Sequence, residues 1–475
     1  MIIDRFLQNI QQLKTYGSYN NGKKIGIALS GGVDSMVMLD LLVRLRKQHF
    51  LNLDIHAITI DHGLRSESST EAFNIQRVIY QRNKYPITHK ILKINEQINP
   101  NQVEKHAREL RYKLMFQYCK DENINELYMG HHLNDQIETF LLRLKSNSTL
   151  FGLMGMKLET PSNLYNSHPI DLIRPMLNIK KDEIYTYARQ NDLIWFEDHT
   201  NKDTSLTQRN QLRSAIETGI IKENDIIKLH RSLVKAMEKF IYKPMKELDN
   251  GTVLNHNISA ACDFNISLLS LNIDINIKDK SLLNVTDYII LDRWIFNKIW
   301  RVSPQIKYHY RFTTFDSKNS VIIPNLKSRS LIENVLPVKK GIVNISGCLI
   351  KWKQEDSNIK LTVYREPPRR FQEKYESYNS IGEICFDNRV FLKSPNPYNV
   401  EIFNGEKTSN VSNSGVKREI TNMMNLPLNV KANKLMGKIK QFYLPVISAP
   451  NDSYFPTFQQ KNNKLKCFPK RDILT

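Results

Sequence analysis

The sequence predicts an α/β protein. It has an N-terminal domain on a mostly parallel sheet over residues 1–215, a helical middle domain over 216–335 and a small mixed α/β C-terminal region over 336–475. Three observations predict it. In the first domain short apolar runs alternate with helix-length segments, as strand–helix–strand units do. From 219 to 245 apolar residues such as Ile226, Leu229, Val234, Met237 and Phe240 recur near helical spacing. From Gly341 onward short β-prone runs with turn residues between them take over, and Pro367-Pro368-Arg369-Arg370 marks a sub-boundary near 370.

Each element has its own justification. Residues 3–14 predict a short amphipathic helix, and the apolar run 23–29 a buried strand. Ser30-Gly31-Gly32-Val33-Asp34-Ser35 is a glycine-rich turn, and Met36 begins the apolar stretch of a following helix. Residues 55–60 form a second strand that ends at Asp61-His62-Gly63-Leu64-Arg65, with a helix after it to 82. A strand over 88–94, a helix over 101–119 opened by Asn99-Pro100, and a short strand over 125–130 follow. Residues 146–172 are polar, with Gly152, Gly155, Pro161 and Pro169, and read as a surface excursion. Ile173 returns to the core, 180–191 is a helix, and 195–213 has weak periodicity and reads as a structured loop. In the middle domain 287–300 is a second helix, while the asparagine-rich 251–275 stays unassigned. Residues 343–346, 348–352 and 359–363 are strands, and a helix is expected near 430–441.

Strand, glycine-rich turn, helix start is a phosphate-holding geometry. Glycines let backbone N–H groups approach the oxygens, and a helix N-terminus favours negative charge. Asp34 sits in this turn against the charge of a phosphate, which makes sense with a divalent cation between them. No Gly-Lys-Ser/Thr ending follows, so the turn is not the ordinary P-loop. The plainer reading is a tight turn whose helix is capped by Asp34 or Ser35. A parallel sheet places its ligand site at the C-terminal strand ends, where both this turn and Asp61-His62 fall.

His131 and His132 follow the fourth strand, and His131 with Asp135 share a helix face if that helix begins early. The pair suits metal binding or proton transfer, and it equally suits two histidines capping a helix. Glu104 and Arg108 pair at i,i+4 with small value. Arg111 offers a fixed fork for a phosphate.

The chain has 68 Lys+Arg against 48 Asp+Glu, a formal charge of +20, which points to a polyanionic partner. Lys431, Lys434 and Lys438 share a face of the expected C-terminal helix, with Lys440, Lys417 and Arg418 nearby. They make a nucleic-acid surface or an ordinary solvated face. Five scattered cysteines without a Cys-x-x-Cys suggest neither a zinc knuckle nor a disulfide framework. The N-terminus lacks a signal-peptide pattern and no run reaches membrane-spanning length, so the expectation is a soluble cytoplasmic protein with no membrane partner.

Together these motifs resemble the tRNA(Ile)-lysidine synthetase family within the PP-loop, or N-type, ATP pyrophosphatases. The matching residues are the 30–35 turn, Asp61 to Arg65, Arg108 with Arg111-Tyr112, and His131-His132 through Asp135-Gln136 to Glu138-Thr139. Leu141 to Leu144, Gly152-Leu153, Gly155-Met156, Arg174-Pro175, Trp195, Glu197-Asp198, Asn201, Arg209-Asn210 and Arg213 also match. The likeness covers roughly 22–215 and beyond that is architectural. It implies ATP bound by Ser30, Gly31, Gly32, Val33, Asp34, Ser35, Asp61 and His62, with Mg2+ at Asp34. It implies catalytic roles for Asp34, Arg111, His131, Asp135 and Arg209.

The implied reaction is a carbon–nitrogen ligation. ATP adenylates the C2 oxygen of the wobble cytidine in the CAU anticodon of tRNA(Ile), releasing pyrophosphate. The ε-amine of free L-lysine then displaces AMP. Asp135 is the candidate base for the lysine amine, with His131 as nucleotide contact or relay and Arg111 and Arg209 on phosphate. The resemblance leaves a homodimer open. Two rivals remain: a PP-loop tRNA thiolation enzyme, and a non-catalytic RNA-binding protein on the same scaffold. The chain departs from the family pattern at Asn134, where a second acid is usual, at Ser146 to Thr149, where a glycine-containing turn is usual, and at Asn388 within Asp387-Asn388-Arg389.

Overall fold

Alternating apolar positions set the first sheet of the computed structural model. Ile25, Ile27 and Ile55 are fully buried, with Ala57 and Leu127 beside them. The structure describes residues 2–49, 51–63, 68–82, 87–96, 103–162, 170–196, 208–265, 270–300, 302–303, 315–316, 321–322, 331–332, 335–336, 338–345 and 347–365, and beyond these 382–386, 390–394, 399–402, 445–449, 452–454 and 466–469. The helix expected near 430–441 and the six basic residues Lys417, Arg418, Lys431, Lys434, Lys438 and Lys440 lie outside the described residues.

The chain divides into two compact units, Met1–Leu233 and Val234–Thr475. The first is a six-stranded sheet in the order β3-β2-β1-β4-β6-β5. Its strands are β1 (Lys23–Ala28), β2 (Leu53–Asp61), β3 (Thr88–Lys93), β4 (Glu126–Tyr128), β5 (Glu159–Ser162) and β6 (Ile170–Ile173). All neighbouring pairs run parallel except β5 with β6. Helices α1 (Ile2–Gln11), α2 (Val33–Gln48), α3 (Ser68–Arg82), α4 (Val103–Asp121), α5 (Leu133–Lys145), α6 (Leu150–Leu153) and α7 (Lys181–Gln190) connect and cover the strands. The strand order reverses direction at β1, whose two neighbours are β2 and β4. That switch point is where a doubly wound sheet opens a crevice, and the 30–35 turn and His131-His132 follow the two strands that flank it.

Residues 208–213, expected to belong to a loop, fall in helix α8 (Gln208–Glu217). Its few apolar residues explain the weak periodicity: Ile216 packs with Leu133, Ile137 and Leu141 of α5 and with Ile226 and Ile227 of α9 (Glu223–Met237). The first unit therefore continues past 215. The 146–156 part of the polar excursion is also ordered. Thr149 caps α6 by accepting from the Gly152 N–H at 2.9 Å, and Gln136 and Arg143 of α5 bond Met156 and Gly155.

The second unit continues helically through a π turn over 238–242 into α10 (Lys243–Asp249), then forms an antiparallel sheet. The sheet order is β11-β12-β13-β8-β7, with β7 (Ile258–Asn265), β8 (Ser270–Ile277), β11 (Lys340–Ile345), β12 (Cys348–Glu355) and β13 (Asn358–Arg365). Helix α11 (Val285–Ile299) lies between β8 and β11 in sequence, as do the paired two-residue strands β9 (Phe315–Asp316) and β10 (Val321–Ile322). The β8–β13 ladder crosses position 335, so the segment expected to be helical contributes two strands to the later sheet. Leu271, Ile273, Ile275 and Ile277 alternate with Asn272, Asp274 and Asn276, a clear period of two beneath the asparagine-rich composition. Two small three-stranded sheets follow, β14-β15-β19 and β16-β17-β18, from β14 (Gly382–Phe386), β15 (Val390–Ser394), β16 (Asn399–Ile402), β17 (Pro445–Ala449), β18 (Asp452–Tyr454) and β19 (Lys466–Pro469). Among the described residues no helix is long and apolar enough to cross a membrane.

Candidate active site

Two glycines let the strand ends close on the first turn of α2. Gly31 has φ near +80°, and a Cβ there would come within 2.5 Å of Ile75 Cδ1. Its carbonyl accepts from the Phe196 N–H at 2.9 Å, which seats the segment after α7 on the turn. A Cβ on Gly130 would meet the backbone of Asp34 and Ser35 at 3.3 Å. Helix α2 opens at Val33 with Gly32 before it, and no side chain caps its N–H groups. The capping reading of the sequence thus gives way. Ser35 Oγ donates to the Gly32 carbonyl at 2.9 Å, and Ser30 Oγ accepts from the Gly32 N–H at 3.4 Å. The Asp34 carboxylate points elsewhere, so the helix start keeps its N–H donors for an anion.

Asp34 meets a residue that the sequence reading had not singled out. Lys181, the first residue of α7, places its ammonium 2.7 Å from both Asp34 oxygens. His132 Nε2 lies 3.6 Å from Asp34 and 3.4 Å from Asp135, between the two acids. The sequence favoured His131 for this place. The difference is one residue of helix start: α5 begins at Leu133, so His132 is its cap residue and His131 belongs to the strand exit.

Asp135 does structural work as well. Its Oδ2 accepts from the His132 N–H at 3.0 Å, closing the first turn of α5. Burial opposes its charge, but His132, that N–H, His131 and Arg213 outweigh it and hold the carboxyl below its ordinary range. His131 shifts the opposite way for a histidine in need of charge: burial above all, then Arg174, Arg108 and His132, outweigh the help of Asp135 and keep the ring neutral near pH 7. The Nδ1 atoms of both His131 and His132 are buried without a hydrogen-bond partner.

Glu138, one turn beyond Asp135, is nearly fully buried. Arg213 of α8 binds it with Nε at 2.5 Å and Nη2 at 3.1 Å and reaches to 3.7 Å from Asp135. Burial works against the Arg213 charge, but Glu138, Asp135 and Asp34 more than restore it. Arg209 is the second residue of the same helix, and its side chain lies outside the described residues. Arg111 is half-buried on α4, next to Arg108, which stacks over Tyr112 at 5.2 Å.

Asp61, expected to contact nucleotide, spends its oxygens locally. Ser68 and Ser69 donate their hydroxyls, the latter at 2.6 Å, and the Gly63 N–H donates at 3.1 Å. Burial is again outweighed, by the two hydroxyls, the N–H and Lys93, so the carboxyl stays below its usual value. Asp61 thereby fixes the start of α3 at the rim; His62 is next to it at the strand end.

A family model described as a PP-loop domain matches residues 4–219. The tRNA(Ile)-lysidine synthase of Rickettsia africae (strain ESF-5) is 34% identical over 403 residues, covering 82% of this chain and 79% of that protein. The chain belongs to the tRNA(Ile)-lysidine synthase family. The synthase of Wolbachia pipientis wMel is 28% identical over 453 residues, 90% of this chain and 100% of that protein. With the synthase of Rickettsia conorii (strain ATCC VR-613 / Malish 7) the likeness is 35% over 219 residues, 46% of this chain and 43% of that protein.

Within this lysidine synthase site the sequence reading named His132, Glu138 and Arg213 as matching the family pattern without giving them a role, and it did not name Lys181. A role for Glu138 could have been found from its i,i+3 spacing to Asp135 on one helix. Lys181 had no local signal, being 147 residues from Asp34. Among the described residues no group of three or more His, Cys, Asp or Glu forms a closed metal cage.

Proposed function

We propose that the crevice at the β1–β4 switch point carries out ATP-dependent lysidine formation on tRNA(Ile). The C2 oxygen of the wobble cytidine of a CAU anticodon attacks the α-phosphorus of ATP and pyrophosphate leaves. The ε-amine of free L-lysine then forms the C2–N bond as the C2–O bond to AMP breaks. The observation that carries this reading is the uncapped start of α2 with the Asp34 carboxylate beside it, facing Asp135 across His132. The N–H groups of that turn hold the departing diphosphate, and Lys181 lies near enough to Asp34 to lend its charge to the same phosphates.

Mg2+ fits this donor set in one way. A magnesium ion is commonly held by one or two carboxylates together with substrate phosphates, and Asp34 is a partly exposed carboxylate at the mouth of the turn. Asp34 would hold it, and Mg2+ when bound would offset the charge of the diphosphate. Lys181 now occupies both Asp34 oxygens, so ion and ammonium compete for one carboxylate.

The role of Asp135 shifts from the one the sequence suggested. A lysine ammonium has a pKa of about 10.4 and a carboxyl about 3.9. Asp135 is held lower still, which makes it a weak acceptor for that proton. Asp135 is instead a fixed negative charge that orients His132 and accepts a hydrogen bond from the incoming amine. As the C2–O bond breaks, the phosphate leaves as the monoester AMP, whose second pKa of about 6 makes it a better base than a carboxylate, and it takes the proton. His131, neutral near pH 7, is a nucleotide contact.

The thiolation alternative needs a reactive thiol. Cys119 is fully buried on α4, and burial pushes its thiol up to about 12, so it is a core residue. The test is incubation with ATP, labelled lysine and a tRNA(Ile) transcript bearing CAU, beside the same transcript with an altered wobble base. Lysine enters only the CAU transcript, with one pyrophosphate released per lysine incorporated. Label in both, or in neither, would overturn the reading.

A further inference from the structure

Asn134 stands beside Asp135 in the first turn of α5, and its surroundings call for an amide there. Its side chain makes two bonds of opposite sense. Oδ1 accepts from the backbone N–H of Lys181 at 3.0 Å, and Nδ2 donates to Glu223 Oε1 at 2.5 Å. Only a group that is both donor and acceptor can do this, and an ionised carboxylate only accepts. The same three helix starts are tied twice more. The Leu133 N–H donates to the Ile179 carbonyl at 2.9 Å, and Lys180 Nζ reaches Asn224 Oδ1 at 3.1 Å. Asn134 is thus a two-sided clamp between α5, α7 and α9.

The residue it clamps on α7 is Lys181, whose ammonium straddles Asp34. We propose that Asn134 and Glu223 are a matched pair of positioning residues that set Lys181 against Asp34, and so govern the nucleotide-activating step without touching substrate. The inference deepens the ATP-activation reading given above and rests on it. Glu223 belongs to the pair because its carboxylate accepts the amide proton. An acid at position 134 would face Glu223 across the same short gap, and two carboxylates so placed cannot both ionise without moving apart. The nearby charges on the three helix starts are Lys180, Lys181, Asp182 and Glu183 on α7, Asp135 with His132 on α5, and Lys222 and Asp225 beside Glu223 on α9.

The test is pyrophosphate release by the full chain with Mg·ATP and the CAU transcript, followed from pH 6 to 9 in three variants. Asn134→Asp should match wild type most closely at the acid end, where the two carboxyls share a proton. It should then lose about 10- to 100-fold in kcat as pH rises, the cost of a displaced charged group in the site. Wild type should show no such added decline. Asn134→Asp combined with Glu223→Gln restores a donor opposite the new acceptor and should recover most of the rate and the wild-type pH profile. Asn134→Ala removes both bonds and should lower kcat at every pH with no new pH dependence, and thermal melting checks that each variant is folded. A merely structural role would shift melting and leave the pH profile alone. The proposal is overturned if Asn134→Asp, folded, follows the wild-type pH profile, or if the double variant is no better than the single one. If wild type itself releases no pyrophosphate, the activation reading has failed instead.

Discussion

The two ends of the parallel sheet each hold a carboxylate among donors, and they resolve it in opposite ways. At the N-terminal end Glu126, the first residue of β4, is almost wholly buried. It accepts from Lys23, Thr15 and Tyr19, with the Tyr128 hydroxyl at 3.3 Å. Burial drives the Tyr19 and Tyr128 phenols far above their ordinary range, and the neighbouring Glu126 charge adds to it. Every member of that cluster has its partners. At the C-terminal end Asp34 has one lysine that competes with any arriving cation, and two histidines keep a buried nitrogen unpartnered. A saturated polar cluster adds rigidity, whereas one with open valences is held ready for a ligand.

Substitutions at the two ends should therefore separate rate from stability. The largest effect is expected at Asp34. Asp34→Ala should lower pyrophosphate release about 10^2- to 10^3-fold, the scale of losing a key electrostatic group, with tRNA binding retained and melting little changed. Near-normal pyrophosphate release from this variant would remove the phosphate turn from the mechanism. Glu126→Gln should do the reverse. Loss of the buried charge leaves Lys23 unpaired and costs about 2–4 kcal/mol of stability, with kcat of the folded fraction unchanged. Denaturant titration and initial rates on one preparation check both halves. A rate loss at Glu126 exceeding its folded-fraction loss would dissolve the contrast.

How much of this contrast was legible in the sequence depended on distance along the chain. The strands and helix starts of the first unit could be read because each is specified by its own alternation and punctuation, as in Ile25 and Ile27 before Gly31. The turn at 30–35 could be read for the same reason. Helix α8 was hidden because its stability comes from Ile216 on α5 and from the Arg213–Glu138 pair rather than from its own apolar stripe. Strand β8 was hidden by Asn272 and Asn276, although the inward Leu271, Ile273, Ile275 and Ile277 keep the period. The choice of His131 over His132 turned on a single residue of helix onset, which local pattern does not resolve. Lys181 reaches Asp34 only through the assembled sheet.

The C-terminal end is not uniformly open, and Arg213 marks its saturated part. Its fork closes on buried Glu138 with two bonds, a geometry that lysine cannot reproduce. Arg213→Lys should cost about 1–3 kcal/mol in stability, because Glu138 then keeps a buried oxygen short of a donor. It should also weaken catalysis modestly by removing a positive neighbour from Asp135. The combined effect should fall between those at Asp34 and Glu126 in rate, and below Glu126 in stability. An Arg213→Lys protein that melts like wild type would show that Glu138 is satisfied without the fork.

The smallest expected effect is a slope. If Asp135 were the base for lysine, the ammonium could bind and lose its proton in the site, and kcat/KM for lysine would be flat with pH above the acid range. Asp135 is instead held below the usual carboxylate range, and His131 below the usual histidine range, so neither changes protonation between pH 7 and 9. Lysine itself does titrate towards that window, and its free amine rises about tenfold per pH unit below its pKa of about 10.4. A single-turnover chase of adenylated tRNA with lysine should therefore give log kcat/KM rising with a slope near one. Asp135→Asn should lower that line in parallel, because it weakens the acceptor for the amine N–H and loosens the first turn of α5 without changing which species reacts. At the acid end the sign is also fixed. His131 has its folded pKa depressed, so the unfolded chain binds the proton first and stability falls as pH drops below about 6.5. Asp135, also depressed, adds its own loss only as pH falls below the ordinary carboxylate value. A flat wild-type profile that becomes sloped in Asp135→Asn would return the base to Asp135, and the open end of the sheet would then owe its reactivity to a group now read as fixed charge.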